Sequence, residues 1–122
     1  MKNTVLIVAA TILVSIVCSI SAAEWPAPYR QFSGKYAIYS GELGDQQAPT
    51  RTETKVSFIV DGQPAKELFD AMYPDDKETC GGEGARARTK GNVWCTYHPG
   101  RGYKCYFGFD LKTGKSIGGG IC

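Results

Sequence analysis

Few residues in this chain have side chains that could carry out chemistry: one histidine, five cysteines and a short run of alternating cations. Acid–base catalysis near neutral pH would have to be built around His98, because it is the only histidine. We expect His98 at the end of a hairpin, exposed to solvent, and we therefore assign no catalytic residue. A small secreted hydrolase that uses His98 stays open as an alternative.

The cysteines predict crosslinks rather than a metal site. Four of the five are separated by 15, 10 and 17 positions, and no Cys-x-x-Cys element occurs. We expect no metal and no cofactor. An even number of cysteines in an exported domain predicts two disulfides, each of which stabilises a fold by roughly 2–4 kcal/mol. The four are Cys80, Cys95, Cys105 and Cys122.

The N-terminal residues have the features of a secretory signal peptide. Lys2 is followed by an apolar run over residues 5–17, and residues 21–23 are small, as a cleavage site requires. The run is 13 residues long, shorter than the roughly 20 that a membrane-spanning helix needs. We predict cleavage after position 23, so that residues 1–23 are the signal peptide. The mature domain, residues 24–122, is then secreted or periplasmic and has no membrane span.

Basic side chains are concentrated between residues 83 and 115, where seven positive residues accompany two negative ones. Arg86, Arg88 and Lys90 alternate with small residues, so an extended backbone would hold all three cations on one side. This basic segment would suit a partner protein with an acidic cleft. A solubilising loop, balanced by the acidic end of the predicted helix, is the alternative. We expect no nucleic-acid partner, since the net charge is only +2.

Periodicity and turn signals predict the elements that position these residues. Strands are expected at residues 34–40 and 50–60, and a helix begins near Asp61, with Pro64 in its first turn. The helix presents one apolar stripe and ends before Pro74. Its stripe consists of Ala65, Leu68, Phe69 and Met72. A long glycine-rich loop is predicted over residues 74–91, and a weak last strand over residues 115–121.

A hairpin over residues 92–110 is the densest β-forming stretch. A three-residue loop over residues 100–102, ending in a left-handed glycine, would place Cys95 and Cys105 on the same face of the sheet. The sequence therefore favours Cys95–Cys105 with Cys80–Cys122. The pairing Cys80–Cys95 with Cys105–Cys122 remains the alternative, because four cysteines allow three connectivities.

These elements predict a single α+β domain of order ββαβββ, with one helix packed on a face of an antiparallel sheet. For its function we expect an exported small binding protein whose hairpin tip and basic segment contact a protein partner. An inhibitor or immunity-type protein that acts on a hydrolase is one form of this function. The partner-binding residues would be Arg86, Arg88, Lys90, His98, Pro99 and Arg101. A structural component of an envelope or extracellular assembly is a further alternative.

Overall fold

The computed structural model describes residues 27–122, and residues 31–122 form one compact unit that contains all the elements below. The predicted signal peptide, residues 1–23, lies outside the described residues. Within residues 27–122 there are seven strands and one helix. They are β1 (Gly34–Glu42), β2 (Asp45–Gln47), β3 (Lys55–Asp61), α1 (Gly62–Ala71), β4 (Arg86–Lys90), β5 (Val93–His98), β6 (Gly102–Asp110) and β7 (Ser116–Ile117).

The strands form one antiparallel sheet in the order β2-β1-β3-β6-β5-β4, and β7 pairs with β6. The long strands β3 and β6 pair at its centre, with Phe58 opposite Phe107 and Val60 opposite Cys105. The helix follows β3 directly and packs mainly against β6, with further contacts to β3 and β5. This arrangement is the predicted α+β class, one helix on one face of an antiparallel sheet.

The core lies between α1 and the half of the sheet that the helix covers. Ala65, Phe69 and Met72 of the predicted stripe are buried, together with Val60 and the Cys95–Cys105 pair. Leu68, the fourth member, remains 36% exposed. The helix has 10 residues, which corresponds to a length of about 15 Å. Five spacings between six neighbouring strands extend over roughly 24 Å, so α1 leaves part of this face uncovered.

The hairpin confirms that Cys95 and Cys105 lie on the same face of the sheet. His98 pairs with Gly102, so the loop has three residues, Pro99 to Arg101, one position earlier than predicted. Cys95 then lies directly opposite Cys105, with a Cα–Cα distance of 4.0 Å, and the two form a disulfide beneath the helix. Cys80 and Cys122 form the second disulfide, with a Cα–Cα distance of 5.6 Å. The favoured connectivity is therefore the observed one.

The C-terminal segment covers the other face of the sheet. The predicted last strand is reduced to Ser116–Ile117, and the glycines that follow cross β6 at close range. A side chain at Gly119 would overlap the backbone of Phe107, and the Gly119 carbonyl accepts a hydrogen bond of 2.6 Å from Ser57 Oγ. Gly119 and Gly120 thus allow a close crossing of the sheet rather than merely weakening a strand.

Three local predictions are wrong. The strand expected from residue 50 begins at Lys55, because Thr50 hydrogen-bonds to the backbone of Glu53 and closes a turn there. The predicted connection after β1 contains the short strand β2, and the predicted loop over residues 74–91 contains β4. Both missed strands are polar edge strands without apolar alternation, so pairing with a neighbour determines them.

Candidate partner-binding surfaces

Arg88, a predicted partner-binding residue, is buried beneath the end of the helix. Its side chain lies on the helix face of β4, and the residue is 7% exposed. The guanidinium donates hydrogen bonds of 2.7 Å to Asp75 Oδ1 and 2.7 Å to the Phe69 carbonyl. It also stacks over the Phe69 ring, 4.2 Å from the centroid. Arg88 therefore connects β4, α1 and the segment after the helix.

Arg86 lies beside Arg88 and shares the same carboxylate. Its guanidinium donates hydrogen bonds of 2.8 and 3.1 Å to the two oxygens of Asp75. The hydrogen bonds from Arg86 and then Arg88 lower the pKa of the Asp75 carboxyl to about 2. Lys90 is exposed at the far end of β4. The predicted basic segment is thus an ordered strand, and Asp75 offsets much of its positive charge.

The outer edge of β4 is covered by Asp76. The Asp76 backbone N–H donates a hydrogen bond of 2.7 Å to the Ala87 carbonyl. The Asp76 carboxylate accepts bonds of 3.1 Å from the Thr89 N–H and 2.6 Å from the Thr89 hydroxyl. Asp75 and Asp76 therefore bind β4 from both its face and its edge.

The hairpin tip is exposed and braced from below. Pro99, Gly100 and Arg101 are exposed, and Arg101 N–H bonds to the His98 carbonyl at 3.0 Å. Below the tip, the rings of Tyr97 and Tyr103 contact each other with centroids 4.8 Å apart. The Cys95–Cys105 disulfide lies two residues further from the tip on each strand.

His98 differs from its expected environment. It lies at the end of the hairpin, as predicted, on the face opposite Cys95, but it is half-buried rather than fully exposed. Its ring packs beside Gly81, where a side chain would collide with Cε1 and Nδ1 of the imidazole. The loop that carries Cys80 therefore covers one side of His98.

A surface that the sequence did not indicate lies between α1 and the uncovered half of the sheet. This apolar groove has a volume of about 520 Å³. Pro64, Leu68 and Ala71 line its helix side, and Phe58, Phe107 and Phe109 line its sheet side. Phe32, Val60 and Glu67 complete its lining, so that eight of the nine residues are apolar.

Beyond the groove, the same face continues onto β1. Tyr36 is opposite Phe58 and Ile38 is opposite Val56, so both project on the helix side of the sheet. Tyr36 is 71% exposed and Ile38 is 50% exposed, and the rings of Tyr36 and Phe58 lie 6.4 Å apart. The positions that share this face between residues 34 and 38, 56 and 60, and 105 and 109 carry no charged residue.

A single signal in the sequence could have indicated this surface. Apolar residues alternate in three strands at once, yet only one short helix is predicted to cover them. Such a helix cannot bury an apolar face that extends across β1, β3 and β6. The groove is thus the part of the apolar face that remains exposed after α1 has packed, mainly against β6.

Comparisons with protein-family models, with curated proteins and with solved structures gave no match to this chain. Within residues 27–122, no helix has both the length and the apolar character needed to cross a membrane.

Proposed function

We propose that the mature chain is an exported binding protein and that the apolar groove receives apolar side chains of a protein partner. The observation that carries the proposal is a groove of about 520 Å³ with eight apolar residues among nine. Monomeric proteins rarely leave apolar patches beyond a few hundred Å² exposed, and larger ones mark interaction sites.

The exposure of the lining favours a protein partner over an enclosed small molecule. Phe32 is 64% exposed, and Phe58, Leu68 and Phe109 are each between 36% and 39% exposed. Small-molecule sites bury most of the ligand surface. An open groove instead accepts side chains that project from another surface, as interface anchors do.

A charge placed in the groove tests the proposal. Leu68→Glu puts a carboxylate among the aromatic rings, and Gln63→Glu adds the same charge elsewhere on α1 as the matched control. We expect Leu68→Glu to weaken capture of the partner from extracellular fluid by roughly tenfold or more, and Gln63→Glu to leave it unchanged. Binding of anilinonaphthalene sulfonate, measured by fluorescence, should fall in parallel.

Retained capture by a folded Leu68→Glu protein would reject the groove as the binding site. Circular dichroism and thermal unfolding establish that each variant is folded. Equal capture by both variants, with dye binding lost only in Leu68→Glu, would show an apolar groove that the partner does not use.

The hairpin tip is a second candidate surface for the same function, in the form of an inhibitor or immunity-type protein that inserts the tip into a hydrolase. The observation in its favour is a disulfide and a tyrosine pair directly beneath three exposed residues. A loop held in place before binding loses less entropy when it binds.

Arg101→Glu, with Lys112→Glu as a control in another exposed turn, tests the tip. Capture lost in Arg101→Glu but retained in Leu68→Glu assigns binding to the tip.

A further inference from the structure

We propose that two copies of this chain associate through the outer edge of β1, with the two strands antiparallel and Tyr36 opposite its own counterpart. On its inner side, β1 pairs with β3 from Gly34 to Tyr39. On its outer side, β2 pairs only with Ser40, Gly41 and Glu42. Among residues 27–122, nothing pairs with the outer side of residues 34–38.

This edge has few of the features that prevent strands from pairing. Exposed edges are usually blocked by charge, proline, a bulge or a covering segment. Residues 34–38 contain no proline, and Lys35 is their only charged residue. Tyr36 and Ile38 favour extended structure. Their side chains are 71% and 50% exposed, beside the rings of the neighbouring strand.

The register makes the edge complementary to itself. In an antiparallel pair related by a two-fold axis perpendicular to the sheet, directly opposite residues share a face. Centring the pair on Tyr36 places Lys35 opposite Ala37 of the second copy, and Gly34 opposite its Ile38. The two lysines are therefore not opposed, and only residues 34–38 are used, which leaves β2 in place.

The exposed apolar surface beside the edge is comparable in size with the apolar part of a standard interface. At roughly 200 Å² for a whole aromatic side chain, the exposed fractions of Phe32, Tyr36, Phe58 and Phe109 amount to about 400 Å². A standard interface buries about 800 Å² per partner, somewhat more than half of it apolar. Pairing at β1 joins the two aromatic surfaces on one side of a continuous sheet. The paired edge itself is distinct from the groove, since neither Tyr36 nor Ile38 lines the groove, whereas Phe32, Phe58 and Phe109 do.

The test uses complementary charges at the centre of the proposed pair. We expect the purified, oxidised protein to associate with increasing concentration in sedimentation velocity. Tyr36→Lys and Tyr36→Glu should each weaken association by about tenfold or more, because like charges then face each other. An equimolar mixture of the two variants should restore it. Leu111→Lys, at an exposed turn residue, is the control and should associate like the unmodified protein.

Hydrogen exchange distinguishes edge pairing from stacking of the two apolar faces. Edge pairing slows exchange of the outward-pointing amides of residues 34–38 as concentration rises, whereas face stacking leaves them unchanged. A protein that is monomeric at all concentrations overturns the proposal. So does undiminished association of Tyr36→Lys, failure of the mixture to restore association, or exchange in residues 34–38 that does not depend on concentration.

Discussion

The outer edges of β4 and of β1 differ in what lies beside their outward-facing backbone N–H and C=O groups. At β4, Asp76 bonds to the strand edge, while Asp75 accepts hydrogen bonds from Arg86 and Arg88 on its face. At β1, residues 34–38 are open and carry exposed apolar side chains. A polar edge strand needs added partners to be held in place, whereas β1 is already anchored by six residue pairs with β3. Because β3 holds β1 on its inner side, the outer side of β1 can remain available for pairing.

The largest effect is expected from removing the cation that holds β4 to the helix. Arg88→Leu keeps much of the packing over Phe69 but leaves the Phe69 carbonyl and Asp75 without this donor. We expect a loss of about 2–4 kcal/mol in the free energy of unfolding, measured by urea denaturation. A change below the error of that measurement would mean that Arg88 does not hold the covered edge.

A smaller effect is expected from uncovering the edge of β4. Asp76→Ala removes the carboxylate that accepts hydrogen bonds from Thr89 but keeps the backbone bond to Ala87. We expect a loss of about 1–2 kcal/mol and faster hydrogen exchange of the Thr89 amide. Asp45→Ala, in the exposed strand β2, serves as the control. Equal losses in the two variants would contradict a specific role for Asp76.

Low pH should weaken the contacts that Asp75 makes with β4. The pKa of Asp75 is about 2 in the folded protein, below its ordinary value of 3.8. A lowered pKa means that the unfolded chain takes up the proton first, so the stabilisation is present above about pH 4 and is lost as the pH falls through about 2. We expect the free energy of unfolding of Asp75→Asn to depend less steeply on pH across this window. Parallel curves would show that Asp75 does not contribute.

The smallest effect on stability is expected at the open edge. Tyr36→Thr retains a β-forming residue and removes a largely exposed ring. Because little packing is lost within one chain, we expect a change within about 0.5 kcal/mol at concentrations where the protein is monomeric. A loss as large as that of Arg88→Leu would show that Tyr36 is part of the core. It would contradict the difference proposed between the edges at β4 and at β1.

The sequence predicted the parts of the fold that local patterns determine. Periodicity in the helix placed Ala65, Phe69 and Met72 on one face, because residues three and four apart share a side. The loop length between β5 and β6 placed Cys95 opposite Cys105, because side chains alternate along a strand. The export signal and the binding role remain predictions.

Only the tertiary structure decided which polar residues pair with one another and which part of the apolar face remains exposed. Asp75, Asp76, Arg86 and Arg88 are compatible with solvent from the sequence alone, and their pairing depends on β4 meeting the end of α1. The groove exists because one short helix packs mainly over β6 and leaves parts of the apolar face of β3 and β6 uncovered. Residue types determine which side chains are apolar, but the positions of segments that are distant in sequence determine which of these side chains are buried.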